Sequence, residues 1–479
     1  MAYYTKAIQI EPEFDRIYYR MGEVWSAQNN WKQSISAYRK AIELNPDFPW
    51  SYVRLGNAFY QLKQIQKSIN VYRKAIKIRP DFAITYHKLG TVLIQMRRWG
   101  EVISTYRKAV AQGLTLSAES QYNQGLAYSQ KERWGKAVQA YIDAIELEPD
   151  SHFWFYRQNF WDVLSRQKKL ERVADICTKA AQEKLDSVWC CTNLGKARTL
   201  QRRFEEAAQA LSAGSYRRAI EIHPEWKAPQ VELEKVGKPD FLIIGTQKGG
   251  TTSLYYYLCH HPQILPALTK EIEFWSRGAY QGIDWYLSHF LPTPIDQNIV
   301  TGEATPSNLD HRGAAESIFE FYPDIKIIVI LRNPIDRAIS HYHHWFRNSW
   351  ESRSLEDAVQ QQIKKLQSYP DRVWDQANGY IARSTYIHFL RKWMSIFPRE
   401  QFLILKSEDF YNAPQKVLGE TFRFLNLSQY IISEYRCYNS GTYSDTESSV
   451  VETLNSYFHP YNQELEDFLE MRFTWEVGV

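Results

Sequence analysis

A period of 34 residues constrains this chain more than any other feature of it. Prolines fall at Pro12, Pro46 and Pro80 in AIQIEPEF, AIELNPDF and AIKIRPDF, two steps of 34 residues. Pro149, in AIELEPD, comes two further repeats on plus one residue. Gly22, Gly56 and Gly90 keep the same step, and Gly125 follows one residue late. Tyr38, Tyr72, Tyr106 and Tyr141 stand at constant distance before Ala41, Ala75, Ala109 and Ala144. A fixed period of this length implies stacked copies of one helical hairpin, each burying its apolar face on its neighbour. A bulky Tyr18, Tyr52 or Tyr86 starts the first helix, while glycine and alanine let the paired helices approach. Proline closes the unit because it cannot continue the helical hydrogen-bond ladder.

This pattern resembles the tetratricopeptide repeat, and the resemblance implies an all-α solenoid over residues 1–225. From Ser151 the phase blurs, yet HFWFYRQNFWDVLSRQKKLERVADICTKAAQEK still reads as two amphipathic helices. Val188 to Pro224 recovers a repeat with five extra residues near SAGSY, which makes six units, two of them divergent. The chain is expected to start in mid-repeat, since MAYYTKAIQIEPEF reads as a second helix alone. The array is expected to bind a protein partner and to carry no chemistry itself.

The 479 residues are enough for two or three domains. A net charge of +4 with no basic block argues against nucleic-acid binding. Five cysteines without CxxC spacing argue against a zinc site and a disulfide framework. No apolar run approaches the roughly 20 residues of a membrane span, and no signal-peptide pattern opens the chain. The expected setting is therefore cytoplasmic.

The rhythm stops at EWKAPQVELEKVGKPDF, where Pro229, Gly237 and Pro239 mark a linker over 226–237. FLIIG, IKIIVIL (325–331) and the stretch QFLILKSEDF from Gln401 are apolar runs of the kind buried on both faces in parallel sheets. An α/β domain, P-loop-like and three-layered around a central parallel sheet, is expected over 238–479. The first strand enters GTQKGGTTSLYYYL, a glycine-rich turn opening a helix, which offers N–H groups to a phosphate. Gly245 and Gly250 have nucleotide P-loop spacing, but Thr251 stands at the lysine position and the lysine is Lys248, inside the loop. That displacement points to a single 5′-phosphate bearing a further group, with a nucleotide kinase as the alternative.

FLIIGTQKGGTTSLYYYLCHHPQI is similar to the 5′-phosphosulfate segment of sulfotransferases that use 3′-phosphoadenosine 5′-phosphosulfate (PAPS). IVILRNPIDRAISHYHH resembles their 3′-phosphate segment, and KEIEFW, GIDWY, GEATPSNL and FPREQFLILKSEDF extend the likeness to the heparan-sulfate-type branch. The resemblance implies Lys248 as the catalytic cation and Glu271 as the base. It implies donor binding by Lys248, Gly249, Gly250, Thr251, Thr252, Ser253, Arg332 and Ser340. Glu273, Glu303 and His261 are alternatives for the base, and Arg383 is a further candidate for the donor pocket. Blander readings exist: helix capping for Thr252 and Ser253, a Lys270–Glu271 surface pair, an Arg332–Asp336 pair. His341, His343 and His344 lack the i, i+4 spacing of two ligands on one helix face, and no metal is expected. The acceptor is expected to be a glycan or small molecule, with protein as a further option. Thr442, in YNSGTYSD, stands where relatives carry a basic loop residue, which keeps open an inactive domain on a repeat scaffold.

Overall fold

The computed structural model describes residues 2–184, 187–228, 231–233, 237–277, 279–295, 297–347, 350–369, 373–374, 379–435 and 447–475. Thr442 lies outside them. The chain divides into two compact units, Met1–Gln201 and Arg202–Val479. Among the described residues no helix is long and apolar enough to cross a membrane.

The first unit is a run of antiparallel helices, with Asp15–Ala27, Trp31–Leu44, Pro49–Gln61, Ile65–Ile78, Ala83–Gln95 and Trp99–Ala111 as its most regular part. The tyrosine of each second helix lies over the glycine of the first. A Cβ at Gly56 would stand 2.4 Å from the Tyr72 ring, and Gly22 faces Tyr38 in the same way. The glycine therefore makes room for a tyrosine ring 16 residues on rather than for bare helix backbone. Tyr18 and Tyr86 hydroxyls donate to Pro12 O and Pro80 O at 3.0 and 2.9 Å, tying each hairpin to the proline that closed the last. Within each hairpin the turn passes through a non-glycine residue with positive φ: Asn29, Lys63, Arg97, Glu132 and Lys168. Such left-handed residues end helices by redirecting the chain. The divergent stretch forms Gln158–Arg166 and Leu170–Glu183, the two helices expected of it.

The second unit opens with a helix of 19 residues, Phe204–Ile222, against 14 in Trp31–Leu44 and Ile65–Ile78. The five extra residues lengthen a helix rather than loop out. Ser215 Oγ, at their level, donates to Ser288 O at 2.7 Å inside this unit. Its sheet contains β1 (Phe241–Gly245), β2 (Ile264–Pro266), β3 (Val300–Ala304), β4 (Lys326–Leu331) and β5 (Phe402–Lys406). All pair in parallel, in the order β2-β3-β1-β4-β5. β1 is buried throughout and β4 nearly so, as branched apolar runs under two helical layers must be. β2 and β3 carry no such run. Gly302 of β3 lets the strand close on β1, since a Cβ there would meet Phe241 O at 2.4 Å.

Candidate active site

Because the strands are parallel, their carboxyl ends share one edge. The chain leaves β1 towards the β3 and β2 side, whereas it leaves β4 towards β5. Such a reversal opens a crevice outside the strand ends, here between β1 and β4, where open α/β sheets bind their ligands. The loop Thr246–Gly250 leaves β1 at this point and Arg332 follows β4.

The loop is tightly folded. Thr246 N–H donates to Ile330 O at 3.0 Å and Gly249 N–H to Thr246 O at 2.9 Å. Gly249 has no space for a side chain, with Ile330 O 2.7 Å from where a Cβ would be. Gly250 takes φ +106 and opens the helix Thr251–Leu258, while Lys248 takes φ 71, a region that few residues with a Cβ enter. Ser407 Oγ donates to Gly249 O at 2.7 Å and Arg332 Nη1 to Lys248 O at 3.2 Å. Thr251 and Ser253 are buried in the first helical turn and Thr252 is half-buried. Ser253 Oγ has no hydrogen-bond partner among the described residues, so it is not used as a cap. Arg332 donates to the loop backbone, and Asp336 is exposed. Ser340 is buried on the helix Pro334–Arg347.

Two residues that the sequence did not single out fasten this loop. Arg337 is wholly buried; it donates to Ser384 Oγ at 2.6 Å, to Gln247 O at 3.3 Å and to Tyr380 O. Burial pushes its pKa down to about 10. Asp310, also buried, pairs with Arg383 Nε at 2.5 Å, and Arg383 donates to the Gln247 side chain. Arg383 is thereby engaged with Asp310 and the loop. Burial raises Asp310 to about 6, with Arg383 and Arg337 opposing. RNPIDR gave no hint of Arg337's burial.

Electrostatics collects the rest. Burial, then Arg347, Arg332 and Arg337, hold the Lys248 ammonium below the usual lysine range, and Glu271 acts against them. His344 is lowered by burial, then by Lys248 and Arg347, again with Glu271 opposing. Lys248, Arg332, Arg337, Arg347, His344 and Glu271 thus share one field. Glu271 is half-exposed and ion-paired with Lys270, whose side chain is nearly covered. The surface pair therefore does form, and the Glu271 charge is felt at Lys248.

The sulfotransferase-domain family matches residues 238–444, a span that contains every residue of this crevice. The chain carries a sulfotransferase domain. Tetratricopeptide-repeat families match 26–63, 56–96 and 118–151, so the domain is preceded by such repeats. The chain is 25% identical to the membrane-associated sulfotransferase kil1 of Dictyostelium discoideum, over 51% of this chain and 68% of that protein. It is 32% identical to human bifunctional heparan sulfate N-deacetylase/N-sulfotransferase 3, over 42% of this chain and only 24% of that protein. It is 27% identical to human heparan sulfate glucosamine 3-O-sulfotransferase 5, over 65% and 92%. The chain therefore spans about a quarter of the bifunctional relative. A nucleotide kinase is not favoured.

Three alternative bases of the sulfotransferase domain are engaged elsewhere. His261 is buried, its Nε2 on Ser428 O at 3.1 Å and its Nδ1 accepting from Gln263 N–H at 3.1 Å. Glu273 pairs with Arg277. Glu303 is fully buried and accepts from Tyr286 Oη at 3.2 Å and Thr305 Oγ1 at 2.5 Å. Of the histidine cluster, His341 is wholly buried, its pKa pushed well down by burial, whereas His343 and His344 are half-buried.

Proposed function

We infer that the sulfotransferase domain moves a sulfuryl group from PAPS to a hydroxyl or amine on a carbohydrate acceptor. The observation that carries this reading is the cluster of Lys248, Arg332, Arg337 and Arg347 around a glycine-rich helix start, with the Glu271 carboxylate acting on Lys248 against them. Burial and the three guanidinium charges hold the Lys248 ammonium down; a bound polyanion offsets that repulsion, and PAPS brings charge at both its 5′ and 3′ ends. In this reading the loop N–H groups and the Thr251, Thr252 and Ser253 hydroxyls take the 5′-phosphosulfate. Arg332 and Ser340 take the 3′-phosphate, for which a planar guanidinium fork is suited.

The reaction breaks the bond between sulfur and the bridging phosphate oxygen and forms one from sulfur to the acceptor oxygen or nitrogen. Lys248 offsets charge growing on the bridging oxygen, which leaves as 3′,5′-adenosine diphosphate. Glu271, paired with Lys270, takes the acceptor proton. The carbohydrate class is supported by relatives whose names specify heparan sulfate. The repeats recruit a protein partner or the acceptor. Labelled PAPS offered with desulfated heparan sulfate tests the reading. Transfer that disappears in Lys248→Ala and in Glu271→Gln supports it; a normal rate in Glu271→Gln removes Glu271 from the role.

A further inference from the structure

Glu271 sits on a segment that the fold must hold against its own preferences. Glu271 and Glu273 take φ 63 and 59, left-handed values that cost any residue with a Cβ and persist only where neighbours enforce them. The enforcing contacts run to one buried carboxylate. Glu303, next to last in β3, is wholly buried and accepts from Tyr286 Oη at 3.2 Å and from Thr305 Oγ1 at 2.5 Å. A threonine hydroxyl has one proton to give, and Glu303 takes it. What Thr305 keeps is acceptor capacity, and Glu273 N–H uses it at 3.4 Å. Tyr286 grips the segment differently: its ring stacks on Phe274, centroids 4.8 Å apart and planes 19° from parallel. Ser307 Oγ donates to Ser276 Oγ at 3.0 Å one turn beyond. Glu303 thus fixes two donors, and each of them fixes the segment that carries Glu271.

We propose that Glu303 is a positioning residue that sets Glu271 against Lys248 by way of Thr305 and Tyr286. It does not act as the base, because its oxygens are buried and already accept two hydroxyl protons. The proposal rests on the reading in which Glu271 takes the acceptor proton, and the anchoring itself can be measured apart from that reading.

The test uses the full chain with Thr305→Val, Thr305→Ser and Glu303→Gln. Amide hydrogen exchange is followed at residues 271–274 and in β1 and β4, together with calorimetric affinity for 3′,5′-adenosine diphosphate. Thr305→Val is expected to speed exchange at 271–274 roughly 10-fold, the scale of one lost hydrogen bond, while the strand amides keep their rates. Thr305→Ser, which retains the hydroxyl, is expected to restore slow exchange, and Glu303→Gln to fall between the two. With labelled PAPS and desulfated heparan sulfate, Thr305→Val should lower kcat and leave donor affinity within about 2-fold. Unchanged exchange at 271–274 in Thr305→Val overturns the proposal. So does equal loss across β1 and β4, or identical behaviour of the Val and Ser variants. A normal kcat in Glu271→Gln would instead remove the base assignment and leave the exchange result standing.

Discussion

The two units of this chain bury different things. Among the described residues the repeat unit buries serines, threonines, asparagines and tyrosines, and no aspartate, glutamate, lysine or arginine. Its charges pair near the surface, as in Arg79–Asp81 and Lys40–Glu43. The second unit buries Glu303, Asp310, Arg337, His341 and Glu351. Burying a charge is costly unless partners compensate, and Arg337 and the Asp310–Arg383 pair sit against the loop that leaves β1. The repeats, by contrast, are consistent with a surface whose role is contact.

That contrast can be broken in order of expected effect. Lys248→Ala should lower sulfuryl transfer by roughly 100- to 1,000-fold, the range for losing one donor to developing negative charge. The same substitution at Lys88, exposed to partial degree on a repeat helix, should leave the rate alone. Arg332→Ala should weaken 3′,5′-adenosine diphosphate by roughly 10- to 100-fold in calorimetry, as for a charge-assisted hydrogen bond. Equal weakening by any repeat-unit substitution would mean that the donor site is not confined to the crevice.

Gly56→Ala acts on the other unit. Its methyl would meet the Tyr72 ring at 2.4 Å, and such overpacking costs about 1–3 kcal/mol. Thermal unfolding should show the repeats destabilised, with kcat unchanged. A drop in kcat would show the units to be functionally coupled.

A pH slope separates the units by a different readout. Burial raises Glu303 from 4.5 to about 7, with Thr305, Tyr286, Ile272 N–H and Lys270 opposing, and Tyr255 is the other phenol that senses it. A carboxyl raised in the folded state binds its proton more tightly there than in the unfolded chain. It therefore contributes stability that is complete below about pH 4.5 and is lost as pH rises through about 7. At about 1.4 kcal/mol per pKa unit, the loss is on the order of 3–4 kcal/mol. Glu303→Gln should remove that slope between pH 5 and 8, read from the slowest strand-amide exchange in β1 and β4. Histidines lowered by burial, His341 and His344 among them, slope the opposite way and cancel in the comparison. A slope that survives in Glu303→Gln assigns it to Asp310, which shifts in the same direction.

The sequence revealed what is periodic or strongly apolar. The 34-residue step located the hairpins, and FLIIG, IKIIVIL and QFLILK located β1, β4 and β5. β2 and β3 were not legible because ILP and VTGEA are too short or too mixed for any period to form. Their place is set by tertiary pairing, and by Gly302 against Phe241. Lys248, Arg332 and Glu271 were readable from motif position, and the fold brings them into one field. Arg337 and Asp310 were not, because their roles come from burial and, for Arg337, from partners 47 and 90 residues away; Glu303 stood out only as an alternative base, since its burial does not show in the sequence. Nothing in a linear sequence says which arginine of RNPIDR faces inward.

The crevice between β1 and β4 is proposed to hold a 3′-phosphorylated adenosine nucleotide. Calorimetry of the full chain, without magnesium, compares 3′,5′-adenosine diphosphate with ATP. Tight binding of the former alone, weakened in Arg332→Ala, is the predicted result. Preference for ATP, strengthened by magnesium, would contradict it.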